Sequence, residues 1–180
     1  MRHILTAGAV LALVSAQTAL AVEAERLVSP LLKNFVLGYS AANAAQSIRE
    51  EVPRGESVER WTRMVTTQRF TGLAARSTPA AYARTIADQT PQACPGAKVS
   101  PVAGLTISGR AAARLQVDCP RTQGGVPESF LLLAVAGDSD MHVRQVAFRG
   151  AKTAADLAWA ERYLGATVLC RPRDLQVSCC

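Results

Sequence analysis

Five cysteines carry most of the chemistry in this 180-residue chain: Cys94, Cys119, Cys170, Cys179 and Cys180. Thiols crosslink, coordinate soft metals or cycle between redox states, and the compartment decides which of these persists. Cys94 follows a helical stretch and Cys119 ends a strand-like one, 25 positions later. A bridge between them is worth about 2 to 4 kcal/mol. Cys170 is then left to pair with Cys179 or Cys180, with one thiol over. The same residues support a second reading, thiol or soft-metal handling by Cys170, Cys179 and Cys180, because adjacent thiolates hold Cu(I) or a similar ion. Against it, there is no C-x-x-C motif, and His142 is the one histidine beyond His3.

Other reactive constellations are thin. Asp138, Asp140 and His142 have the spacing of a small metal loop, but Asp-Ser-Asp is also ordinary turn chemistry and the remaining ligands of a calcium loop are missing. No phosphate-binding loop, dinucleotide fingerprint, G-x-S-x-G or H-E-x-x-H occurs. One histidine limits acid–base and triad mechanisms, and the carboxylate pairs Glu50/Glu51 and Glu56/Glu59 fall on wet strands and turns. No residue is nominated as catalytic or metal-ligating, and no cofactor is implied. The ligand-binding candidates are Trp61, Arg63 and Arg144, although a tryptophan in a strand ordinarily fills the core.

The ends of the chain place these residues in a compartment. A short basic start (Met1-Arg2-His3), an apolar run from Ile4 to Val14 and the small-residue pattern Ala19-Leu20-Ala21 read as a secretory signal peptide over residues 1–21. Ser15, Gln17 and Thr18 break the run too early for a membrane span, which needs roughly 20 apolar residues. Cleavage implies a periplasmic or secreted protein with no stable membrane insertion. It also removes Arg2, leaving 19 cations against 14 acids and a charge of +5 in place of +6. Arginine outnumbers lysine 17 to 3, yet the cations are scattered and form no basic stripe, so nucleic acid is not expected as a partner.

The elements that must position the candidates follow from periodicity. Residues 22–33 form an uncapped, loose lead-in, and 34–170 form a single domain, followed by a polar cysteine-containing tail at 171–180. Phe35, Leu37 and Tyr39 alternate with smaller residues, and Gln46 to Val52 supplies a partner strand. A third strand ends the stretch to Phe70, with Trp61 as its anchor. Thr78-Pro79 starts a helix that stops before Cys94. Lys98–Val102 and Leu105–Ser108 are short edge pieces split by Pro101 and Gly104, and Ala111–Cys119 alternates cleanly. Glu128–Arg149 reads as a hairpin closed by Ala136-Gly137-Asp138-Ser139-Asp140. Thr153 and Asp156 open a second helix that stops at Gly165, before a last short strand at 167–170. The expected class is α+β: an antiparallel sheet of about six or seven strands packed against two helices and stapled by a disulfide.

Three local patterns carry a resemblance: the run from Glu51 through Trp61 to Thr66, the segment Val117-Asp-Cys-Pro120, and Glu128 through Gly137-Asp138 to Arg149. Over residues 34–170 the chain resembles a group of small exported proteobacterial proteins of unknown function. That resemblance implies a periplasmic or secreted α+β domain with the Cys94–Cys119 bridge, and no activity. Arg144 stands where the pattern expects an apolar residue. The element order is also similar to a Mog1/PsbP-like α/β sandwich, a fold-level likeness that carries no function. Together these readings describe a non-enzymatic envelope protein that binds another protein or a small ligand.

Overall fold

Ten strands and two helices form within residues 25–171, the part of the chain described by the computed structural model. In order these are β1 (Arg26–Val28), β2 (Phe35–Ala42), β3 (Gln46–Pro53), β4 (Arg63–Phe70), α1 (Pro79–Ala93), β5 (Lys98–Val99) and β6 (Ala103–Ile107). There follow β7 (Arg110–Cys119), β8 (Glu128–Ala136), β9 (Met141–Arg149), α2 (Ala154–Gly165) and β10 (Val168–Cys170). The class is α+β, as expected. The main sheet has eight strands in the order β2-β3-β4-β9-β8-β7-β5, with β6 pairing beside β5 on β7, and every pairing is antiparallel.

The β8–β9 hairpin lies at the middle of this sheet, and its register sorts the core. Leu131, Leu133 and Val135 on β8 share one face with Val146 and Phe148 on β9 and Val65 on β4, because a strand's side chains alternate. That face is covered by α2 through Ala160, Tyr163 and Leu164. Leu132, Ala134, Met141 and Val143 face the other way and are covered by α1 through Ala83. The two helices thus lie on opposite faces, and each Leu or Val taken out of water contributes about 1.5 to 3 kcal/mol.

Local chemistry sets the helix ends. The Thr78 hydroxyl accepts from Ala81 N–H at 3.1 Å, and Pro79 occupies the first turn, where its missing N–H costs nothing. Pro91 sits inside α1, one turn before the helix ends at Cys94. In α2 the Thr153 hydroxyl accepts from Asp156 N–H at 3.1 Å, and the Asp156 carboxylate accepts from Thr153 N–H at 2.9 Å, a reciprocal capping box. The Cys94–Cys119 disulfide ties the end of α1 to the end of β7.

Three features differ from the sequence expectations. The lead-in holds a strand, β1, which pairs with β10 in a two-stranded ribbon and sends Leu27 into the α2-side core. Trp61 precedes β4 instead of lying in it, buried at the start of the strand. The main sheet exceeds the expected strand number because β5 and β6, two short pieces flanking Pro101, both pair with β7.

Candidate functional site

A groove of about 480 Å³ opens between the segment at residues 30–35 and the outer side of α2. Its position follows from local chemistry at both walls. On one side the chain leaves β1, Ser29 Oγ meets Thr167 Oγ1 at 2.6 Å, and the backbone turns through Asn34 at a φ of 63°, whose carbonyl accepts from Arg54 N–H at 2.7 Å. On the other side the capping box orients α2 so that Trp159 and Tyr163, one turn apart, present their rings together.

The floor is a strip of three rings. Phe35 stacks on Trp159 at 6.0 Å between centroids, and Trp159 stacks on Tyr163 at 5.8 Å, while Phe148 meets Trp159 edge-on from beneath. Leu31, 90% exposed, stands at the edge of the strip beside Leu32. Lys33, Arg63 and Arg162 are the charged lining residues. Arg63 donates to Asp156 at 2.5 Å with its guanidinium 5.6 Å from the Trp159 ring centre. The Asp156 carboxyl is held below the ordinary carboxylate range, first by the Thr153 backbone N–H and hydroxyl and then by Arg63.

Of the sequence-selected residues, only Arg63 lines this groove. Arg144 lies beneath it, buried on β9, where it donates to the Tyr163 hydroxyl at 2.7 Å and the Leu27 carbonyl at 3.2 Å. The cation therefore stands at an apolar position because α2 and β1 bring it two acceptors. Trp61 is on the opposite face, packed with Val52, Met64 and Ala147 under the Arg149 guanidinium, 4.3 Å from its ring centre. Trp61, Arg63 and Arg144 do not converge on one site. Phe35, Trp159, Tyr163 and Leu31 were not selected as site residues. Their signal was the four-residue spacing of Trp159 and Tyr163, which also fits a core face.

The acidic hairpin turn is occupied by its own fold. Asp140 accepts from Gly72 N–H at 2.8 Å and faces Arg69, while Asp138 pairs with Arg110. His142 is buried beneath Glu25, with Nε2 3.7 Å from its carboxylate. Burial lowers the histidine pKa more than Glu25 and Asp140 raise it. Glu25 also accepts from Asp138 N–H at 2.8 Å and sits so close to Gly137 that a Cβ there would overlap it. Among the described residues no group of three His, Cys, Asp or Glu side chains converges as metal ligands would.

A second cavity, of about 370 Å³, borders the disulfide and is lined by Lys98, Asp118, Glu128, Ser129 and Lys152. Its charges are mostly spent on neighbours, since Lys152 pairs with Asp118 and Glu128 with Arg149. Cys170 is buried and disulfide-bonded, so it offers no free thiolate. Its expected pairing with Cys179 or Cys180 falls on residues outside those described, as does the signal segment at 1–21. No helix among the described residues is long and apolar enough to cross a membrane.

No protein-family model and no curated protein matches the chain. Among solved structures it is similar to PA94, a protein of unknown function from Pseudomonas aeruginosa, at 15% identity and a TM-score of 0.45 over 81% of each chain. It is also similar to LpqN of Mycobacterium tuberculosis, a protein involved in cell envelope biogenesis, at 12% identity and a TM-score of 0.42 over 81% of this chain and 84% of that one. Likeness at this distance assigns no function to the chain.

Proposed function

We propose that this is a non-enzymatic protein of the cell envelope, periplasmic or secreted, that binds a small apolar ligand in the groove between residues 30–35 and α2. The observation that carries the reading is the groove floored by the half-buried rings of Phe35 and Trp159 over buried Tyr163 and flanked by exposed Leu31. An apolar surface that the fold itself leaves uncovered is where a ligand recovers hydrophobic free energy. Among the described residues the lining is apolar and cationic, with no histidine, carboxylate, serine or cysteine, a lining suited to holding a ligand. Support for export comes from the Cys94–Cys119 bridge, a crosslink that persists in oxidising compartments, and from the leader-like pattern of residues 1–21.

The test uses N-phenyl-1-naphthylamine, a neutral dye that brightens in apolar surroundings. The folded protein should bind it saturably. Leu31→Asp, at a position 90% exposed, should leave thermal stability unchanged and weaken dye binding about tenfold, the worth of one leucine contact made on binding. Absence of saturable dye fluorescence, or wild-type affinity in the Leu31→Asp protein, refutes the groove as a binding site.

A further inference from the structure

We infer that the groove selects a single-chain amphiphile with an anionic headgroup, a proposal that rests on the ligand-binding reading above and adds the ligand's chemical class. The charge of the lining carries it. Lys33, Arg63 and Arg162 contribute three cations to the wall, and no acidic residue among those described lines it. Arg63 is already matched by Asp156, which stands just outside the groove. Lys33 and Arg162 are exposed, and neither has an ion-pair partner among the described residues. They come from different elements, the 30–35 segment and α2, so an anionic head at the rim would meet positive charge from both walls.

The body of the ligand follows from the floor. Three rings and two leucines offer contact area and almost no hydrogen bonding. The neutral polar groups in the described lining are the Trp159 indole N–H, which can only donate, and the Tyr163 hydroxyl, which already accepts from Arg144. A peptide laid in the groove would leave its own N–H groups without side-chain acceptors, a cost that an acyl chain does not carry. Each methylene withdrawn from water is worth about fourfold in affinity, and a volume of about 480 Å³ is within the range of small-molecule sites. A cationic head would face two like charges, and a neutral one would leave Lys33 and Arg162 unmatched.

Displacement of bound N-phenyl-1-naphthylamine by dodecanoate, dodecanol and dodecylamine at neutral pH, the two ionic amphiphiles below their critical micelle concentrations and the alcohol below its solubility limit, tests the inference. Dodecanoate should displace the dye at about tenfold lower concentration than dodecanol, the sum of two exposed charge contacts, and dodecylamine should be weakest. In the double variant Lys33→Glu/Arg162→Glu, both positions being exposed, the order of dodecanoate and dodecylamine should reverse while dodecanol stays within about twofold. Equal displacement by all three headgroups, or an unchanged preference in the charge-reversed protein, overturns the anion assignment and leaves the groove standing as an apolar site. If the dye itself does not bind, the groove reading fails and the headgroup assignment falls with it.

Discussion

Replacing both Cys94 and Cys119 with alanine removes the one covalent link between α1 and the sheet, and its cost can be worked from the loop it closes. The two residues are 25 apart, and chain-entropy cost for a loop of that length comes to about 3.5 kcal/mol at 25 °C. For a folded body of roughly 150 residues the unfolding entropy is about 0.3 kcal/mol/K, so the melting temperature should fall by about 11 °C. The loss should not be uniform. Helix α1 buries only Pro79, Ala83 and Thr90 fully, has no basic residue in its last turn and contains Pro91, so packing alone holds it weakly. The β8–β9 hairpin is enclosed on both faces. Urea denaturation of the double variant against wild type gives the free-energy difference, and amide hydrogen exchange locates it. Substitution is preferable to a reductant, which would also open the bridge made by Cys170. We expect faster exchange over residues 79–93 with the central strands still protected. A loss below about 1 kcal/mol, or exchange that accelerates equally in α1 and β8, would refute the view that sulfur substitutes here for packing.

Four further outcomes are expected. Thr153→Ala should cost about 1 kcal/mol by uncapping α2. Because the Asp156 carboxyl is depressed in the fold, its stabilising effect is complete above its unfolded pKa of about 4 and is lost as pH falls through the lower folded value; the urea midpoint of Asp156→Asn should therefore change less between pH 5 and pH 2 than that of wild type. Arg144→Met leaves the Tyr163 hydroxyl and Leu27 carbonyl without their donor and should cost about 1 to 3 kcal/mol, part of which Tyr163→Phe in the same chain restores; additive losses in that double-mutant cycle would show that the pair is uncoupled. Burial of His142 depresses its pKa, so the unfolded chain takes up this proton first and stability falls as pH drops below about 6.5; an NMR titration of its ring protons with a midpoint above 6.5 would contradict the assigned cause.

Much of this architecture was legible because its causes are local. Strict alternation in Ala111–Cys119, a Gly-Asp-Ser-Asp turn between two apolar runs, and a hydroxyl-Pro or hydroxyl-x-x-Asp start each act within a few residues, so strands, hairpin and both helices could be read in order. The disulfide pairing could be read too, since Cys94 and Cys119 each close an element whose end was already marked.

What no window of residues reveals is which surfaces meet. The strands β1 and β10 are three residues each and about 140 positions apart; β10 was expected from the sequence, but β1 carries too little pattern alone and exists because β10 supplies its backbone partners. Arg144 looked misplaced among apolar neighbours until α2 and β1 brought the Tyr163 hydroxyl and the Leu27 carbonyl to it. Trp61 and Arg63 are near neighbours in sequence but serve opposite faces, the first as core and the second as a groove wall. Sequence by itself determined most of the elements and the staple, which depend on patterning and short-range hydrogen bonding. Tertiary structure alone decided the groove, because it forms where packing leaves apolar rings only partly covered, and that depends on contacts between segments far apart in the chain.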